Sequence, residues 1–518
     1  MSTDPTLENY FAAFAKDVIG NRQVFDSPFG QKEIIYADWT ASGRAFLPIE
    51  DCIQKNVLPF VGNTHTATTI TGTYMSNAYE QAKKIIKNHV HAATEDVLIF
   101  CGSGMTHAVN KLQRILGLRV PERMKDYMQQ KKSCPPSEER LKPVVFVTHM
   151  EHHSNHTSWL ETIATIIIIN PSANGNVDLA HLGQLLEQYK DRKYKIAAVT
   201  ACSNVTGIET PYHEIAKMLH GCGGWCFVDF ACSAPYVTMD MHPQQKGAHL
   251  DAIYFSGHKF LGGPGTPGIL IFNRELYTNC IPDQPGGGTV LYSNPWDNHC
   301  YVSNIEQRED GGTPPFLPAI KAAMCIRLKE AMGIDKIRER EEEIVDLVFS
   351  RLETIKNCVL LEAGNKQRLP IFSIVVKDAS HHLFVKLLND RFGIQSRGGC
   401  SCAGTYGHYL LQVGKKKSYE ILHALRKGDL SVKPGWIRIS LHPIMSNATI
   451  NAIMDAVELT AANYPVWSKD YSYDPDSDEY YYKGMPPNKQ TPVDSWFTPL
   501  SPMRVEDHMQ LFPAICHL

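Results

Sequence analysis

The sequence predicts an α/β protein built on a largely parallel sheet. Two observations carry this. Apolar, β-rich runs alternate with helical patterns from about residue 34 to 275, and strands alternating with helices form parallel sheets with both faces covered. The runs are also near-continuously apolar, without the in-out alternation of a sheet that has one wet face.

The strand-like runs are Glu33–Tyr36, Asp96–Phe100, Val144–Val147, Ile163–Asn170, Ile196–Thr200, Trp225–Val228, Ile253–Phe255 and Ile269–Phe272. Helical patterns such as Thr106–Leu116 and Pro211–Leu219 lie between many of them. The basic, proline-containing stretch Arg119–Pro143 interrupts this order and reads as a surface insertion. After Pro314–Pro315, a long helix is expected over Ala319–Met332. The charged stretch Asp335–Thr354 reads as a second helix with a solvated face. Strand and helix signals then continue to about Tyr464, as in a smaller α+β unit. The tail from Pro465 is rich in Tyr, Asp and Pro with no helical or strand period, and reads as an extended appendage. These shifts divide the chain into an N-terminal arm (1–32), a large unit (33–317, with the insertion at about 119–143), a small α+β unit (318–464) and a C-terminal extension (465–518).

Composition narrows the function. The chain has 518 residues, 43% hydrophobic and 20% charged, as in soluble globular proteins. A net charge of −3 gives no reason to expect nucleic acid or an anionic membrane as partner. Met1–Phe14 has no basic n-region of a signal peptide, and the apolar run near Ile163–Ile169 is too short to span a bilayer. Fourteen cysteines without paired spacing favour free thiols and a reducing, cytoplasmic location.

The most informative segment is Asp251–Gly265, where a short apolar strand delivers Lys259 between Ser256, His258 and a glycine-rich turn. Poor solvation disfavours an ammonium, which frees the amine for attack on a carbonyl, as a Schiff-base lysine requires. The competing reading is a lysine that snorkels to water. Cys101-Gly-Ser-Gly-Met-Thr106, between a strand and a helix, brings free N–H groups and a helix dipole to an anion; it also reads as an ordinary turn. Asp229, ending a buried-looking strand, needs a partner such as a protonated pyridine nitrogen or an arginine.

Glu151-His-His-Ser-Asn-His156 invites a metal. However, adjacent His152 and His153 point in different directions, and Ser154, Asn155, Thr157 and Ser158 favour a loop or cap; no metal is expected. Cys400-x-Cys402, in a glycine-rich loop with Arg397, lacks the spacing of a zinc or redox pair and reads as a nucleophile loop or as two structural thiols. Arg438, inside the apolar strand Trp436–Ser440, needs an anion: a substrate carboxylate gripped bidentately, or a structural acid.

In order, these features, with Ser203-Asn204-Val205-Thr206-Gly207 between them, resemble the class V aminotransferase family of fold-type I pyridoxal-phosphate enzymes, closest to its cysteine desulfurase and selenocysteine lyase branch. The likeness runs from about residue 33 to 460, including Ile35–Gly43 and Asn63-Thr64-His65. It implies a mostly parallel seven-stranded sheet in a large domain and a smaller α+β domain. It implies pyridoxal 5'-phosphate held by Lys259 as a Schiff base, with Asp229 on the pyridine nitrogen, His152 stacked on the ring and Asn204 near the phenolic oxygen. Gly104, Met105, Thr106, Ser256 and His258 would take the phosphate. Thr313 would reach the phosphate of a neighbouring subunit, making a homodimer with composite sites. Arg438 would bind the substrate carboxylate, with Arg397, His65 and Asn63 nearby. Cys402 would carry sulfur from L-cysteine, with a protein as eventual acceptor. Two departures stand out: Cys232 occupies the usual position of a glutamine, and Thr66 that of an arginine. Other class V reactions (transamination, epimerisation, another lyase step) and a non-catalytic dimeric binding protein are the alternative functions.

Overall fold

The computed structural model describes residues 6–64, 66, 68–124 and 136–485. Its centre is a seven-stranded sheet of β1 (Val97–Cys101), β2 (Val144–Thr148), β3 (Thr165–Ile169), β4 (Lys195–Thr200), β5 (Trp225–Asp229), β6 (Ala252–Ser256) and β7 (Gly268–Phe272). Across the sheet the order is β1-β7-β6-β5-β4-β2-β3. All neighbours are parallel except β7, which runs against both β1 and β6. Since β7 alone is reversed, β1 points the same way as the parallel strands, and six C-terminal ends share one edge. Ligands of open α/β sheets bind outside that edge.

The apolar runs follow from burial on both faces. Leu98, Phe146, Val199, Val228 and Phe255 belong to one core layer. Their chain neighbours Ile99, Val145, Ala198, Phe227 and Tyr254 belong to the other. The sheet divides the core, and alternate residues of each strand supply its two sides. β3 lies at the sheet edge and is only half-buried.

A second, antiparallel sheet joins β8 (Cys358–Leu360), β9 (Ile371–Val376), β11 (Trp436–Ser440) and β10 (Arg397–Gly399) in that order. The helices Ile334–Leu352, His381–Phe392 and Asn447–Trp467 accompany it. The N-terminal chain is drawn to this sheet: Ile35–Tyr36 pairs in parallel with Ile394–Gln395, and Asp38 bridges Ser440.

Four expectations need correction. Glu33–Tyr36 is not one strand: Gly30–Glu33 closes a hairpin with Val24–Ser27, and Ile35–Tyr36 leaves to join Ile394–Gln395. The Ser/Asn-rich stretch after β2 forms a helix, His153–Leu160, because His152 caps it through Nδ1 and Asn155 turns inward to the core. The helix Ile334–Leu352 is not wet along all its charges. Arg340 and Glu341 are buried, and Arg340 is held by Asn447 Oδ1 at 2.7 Å and the Met445 carbonyl at 3.0 Å. The start of the tail is ordered. A helix runs through Pro465 to Trp467, and a hairpin of Tyr471–Asp474 and Glu479–Tyr482 follows. Tyr471 anchors it, burying its ring against Leu383 and Leu387 and donating to Asp390 at 2.9 Å. The rest of the extension, and the centre of the insertion, lie outside the described residues.

Candidate active site

A cavity of about 480 Å³ opens at the shared C-terminal edge of the sheet. Its floor comes from strand ends. Gly268 stands opposite both Cys101 and Ser256 in register, so the Gly102–Gly104 turn after β1 and the Gly257–Lys259 turn after β6 meet at one level. Asp229 ends β5, and Asn204 follows β4. The second sheet closes the other side with Arg397, Ser401, Cys402 and Arg438. Lining this one cavity are Gly104, Met105, Thr106, His152, Asn204, Asp229, Cys232, Ser256, His258, Lys259, Arg397, Cys402 and Arg438.

Two expected residues are not brought in. Thr313 is exposed, and neither it nor Asn63 lines the cavity. His65 lies outside the described residues.

The electrostatics follow from burial. Lys259 touches the cavity but is otherwise enclosed by protein, and burial lowers its pKa, against the pull of Cys232 and Asp229. Burial pushes the Asp229 carboxyl up to about 6, opposed by the Ala231 N–H, 2.8 Å from Oδ1, and by Lys259. Burial and then Lys259 lower His152 to about 3, so its ring is neutral where it lines the cavity. Cys232 is shifted down, chiefly by a hydrogen bond from Cys202, whose own thiol is pushed up by burial.

The glycine turn is a cradle that a side chain would fill. A Cβ on Gly104 would stand 3.1 Å from Ser256 Oγ and 3.2 Å from the His258 ring. Ser256 Oγ also takes the Met105 N–H at 2.9 Å, which ties β6 to the N-terminus of the helix Met105–Ile115. Arg438 is buried inside β11. Its NH2 donates to Asp38 Oδ1 at 2.6 Å and its NH1 to the Asn204 carbonyl at 3.0 Å. Arg438 Nε and Asn204 Oδ1 are buried without a hydrogen-bond partner. A closed acid, an amine, a neutral imidazole, an anion cradle and two unmatched polar atoms around one cavity suit a flat, polar, phosphorylated group such as pyridoxal phosphate.

Three contributors were missed in the sequence. Asp38 bridges Arg438 and Arg397, the latter through Nε at 2.9 Å. Cys202 lines the cavity beside Cys232. Glu151 gathers four donors from Thr148 N, Thr148 Oγ1, Thr200 N and Asn155 Nδ2 under the cavity wall. Asp38 was legible as an acid in an apolar segment; Cys202 and Glu151 carried no signal beyond their neighbours.

The class-V aminotransferase model matches residues 134–453, more than half of the chain. A probable cysteine desulfurase of Halalkalibacterium halodurans is 26% identical over 388 residues, 73% of this chain and 86% of that protein. One from Staphylococcus aureus is 26% identical over 391 residues, 75% and 87% of the two chains. Among solved structures, the cysteine desulfurase of Thermococcus onnurineus has the same fold with a TM-score of 0.68 at 22% identity, covering 89% of this chain and 100% of that one. An Escherichia coli cysteine desulfurase gives 0.65 at 19%, covering 88% and 98%. With a matched family model, this fold and a cavity suited to the cofactor, the chain belongs to the class-V aminotransferase family of pyridoxal-phosphate-dependent enzymes, close to its cysteine desulfurase branch.

Proposed function

We propose that the protein is a C–S lyase of the cysteine desulfurase type, which takes sulfur from L-cysteine onto Cys402 and releases alanine. The observation that carries this reading is the meeting of Lys259, Asp229 and Cys402 on one cavity. Relatives described as probable cysteine desulfurases support it.

Lys259 is the residue that would hold the cofactor's aldehyde, and Asp229 the one that would face its pyridine nitrogen. Gly104, Met105, Thr106, Ser256 and His258 would cradle the phosphate, and neutral His152 would cover the ring. When bound, pyridoxal phosphate supplies an electron sink for charge at the substrate α-carbon. Burial lowers the Lys259 pKa and so favours the free amine, the form able to take the α-proton and return it. Arg438, held in place by Asp38, lines the cavity where a substrate carboxylate would bind, and Arg397 stands at the mouth.

Cys402 is exposed at the cavity. In the sulfur step its thiolate attacks the substrate sulfur, the S–S bond forms as the C–S bond breaks, and the carbon takes a proton. Cysteine and enzyme thiol become alanine and enzyme persulfide. Thr313, exposed on this chain, would complete the site of a second copy in a homodimer, and a separate protein would accept the sulfur. No helix of the described residues is long and apolar enough to cross a membrane.

Feeding L-cysteine to the Cys402→Ser and Cys400→Ser variants tests the reading. Persulfide and alanine formation should vanish in the first and persist in the second. Undiminished formation in Cys402→Ser overturns the sulfur relay and leaves another class V reaction, which needs Lys259 and Asp229 but not that thiol.

A further inference from the structure

The segment Glu151–His156 after β2 carries three histidines, and the cofactor site uses only His152. The other two face the loop that carries Cys402. The backbone N–H of His153 donates to the Cys402 carbonyl at 2.7 Å. The ring of His153 accepts the Gly404 N–H on Nε2 at 2.9 Å. His156 Nδ1 and Thr405 Oγ1 are 3.1 Å apart. The His153 backbone thus holds Cys402, and the His153 and His156 side chains, on the first turn of one helix, hold the start of the helix Gly404–Leu410 that follows the Cys402 loop.

The loop they hold is strained. Ser401 and Cys402 both lie in the left-handed region, with φ of 50° and 57°. Consecutive non-glycine residues persist there only when their surroundings leave no alternative. Ser401 is fixed from the opposite side: its carbonyl accepts Asn204 Nδ2 at 2.8 Å, and its hydroxyl accepts Trp436 Nε1 at 3.2 Å. Asn204 and Trp436 therefore hold the loop before Cys402, and the histidines hold it after. Packing at the joint is close, since a Cβ on Gly404 would stand 3.0 Å from His153 Nε2.

We propose that His153 and His156 are positioning residues that clamp the loop and keep Cys402 in its left-handed conformation at the cavity mouth. What the thiol does there rests on the desulfurase reading; the clamp does not. Nε2 of His153 can accept only while the ring is neutral, and burial lowers the pKa of both rings, which favours that state.

Hydrogen exchange of the full chain, followed by mass spectrometry over residues 398–407, reads the clamp without any turnover. His153→Leu should speed exchange there about tenfold, the protection one hydrogen bond confers. His153→Gln, whose side-chain oxygen can replace Nε2 as acceptor, should restore it. Thr405→Val removes the second contact from the loop side with little risk to folding, and should also speed exchange. Wild-type exchange in both His153→Leu and Thr405→Val overturns the clamp. With L-cysteine, persulfide on Cys402 should form about tenfold more slowly in His153→Leu and recover in His153→Gln, with KM unchanged. Faster exchange with undiminished persulfide formation overturns the positioning role. If the wild type itself forms no persulfide, the desulfurase reading fails and the exchange data alone decide the clamp.

Discussion

Asp38 Oδ1 lies 2.6 Å from the NH2 of Arg438, and both side chains are almost closed off from water. The pairing solves a problem set by the second sheet. Arg438 on β11 stands directly opposite Arg397 on β10, and like charges opposite each other oppose strand pairing. Asp38 enters on the segment that pairs with Ile394–Gln395 and answers both, Oδ1 to Arg438 and Oδ2 to Arg397.

The two halves of that bridge should weigh differently. Asp38→Ala leaves Arg438 buried without its counter-ion, which costs about 3–5 kcal/mol. Arg397, with 45% of its side chain exposed, should cost under about 1 kcal/mol when changed to alanine. Chemical denaturation of the two variants against the parent checks the contrast. Equal losses would contradict the assignment of Asp38 to Arg438.

The acid limb of stability should be steep, and His442 should be one cause. It is fully enclosed, packed against Trp39 at 4.3 Å between ring centres with the rings tilted by 35°, and burial lowers it to about 3. An unfolded histidine titrates near 6.5. Between those values the unfolded chain binds the extra proton, so stability is present above pH 6.5 and lost as pH falls toward 3. His442→Asn keeps an acceptor near Nδ1, which takes the Ile444 N–H at 3.3 Å, and removes the titration. Its stability should fall less steeply, by up to about 1.4 kcal/mol per pH unit. Denaturation midpoints measured from pH 7 to 4 give the slope.

The phosphate cradle gives a binding prediction. Gly104 has extended backbone, so a larger residue is not strained there, but its Cβ would enter the space between Ser256 and His258. Gly104→Val should weaken pyridoxal phosphate at least about tenfold, roughly 1.4 kcal/mol. Absorbance titration of the apo protein measures it. Unchanged affinity would move the phosphate site elsewhere.

Much of the sheet was legible because burial on both faces writes unbroken apolar runs, and six of the seven strands match within one residue at each end; β3 begins at Thr165, two residues after the start of its run. The cavity side chains were legible for a related reason: a lysine and an acid at the ends of apolar strands, and an arginine inside one, each need a polar partner that their apolar neighbours do not supply. What escaped depends on contacts far apart in sequence. Asp38 and Arg438 are 400 residues apart, and no local pattern joins them. The contacts of His153 and His156 escaped because their partners, Gly404 and Thr405, lie some 250 positions away. The hairpin at Tyr471–Tyr482 escaped because aromatic residues interleaved with acids resemble a solvated tail until Asp390 and Leu387 are placed beneath them.

Every proposed role in the cavity depends on the amine of Lys259. Borohydride reduction of the cofactor-loaded protein, then peptide mapping by mass spectrometry, tests it most directly. A single pyridoxyl label is expected on the peptide containing Lys259, absent from Lys259→Ala. Label on another lysine, or none on fully loaded protein, would contradict it.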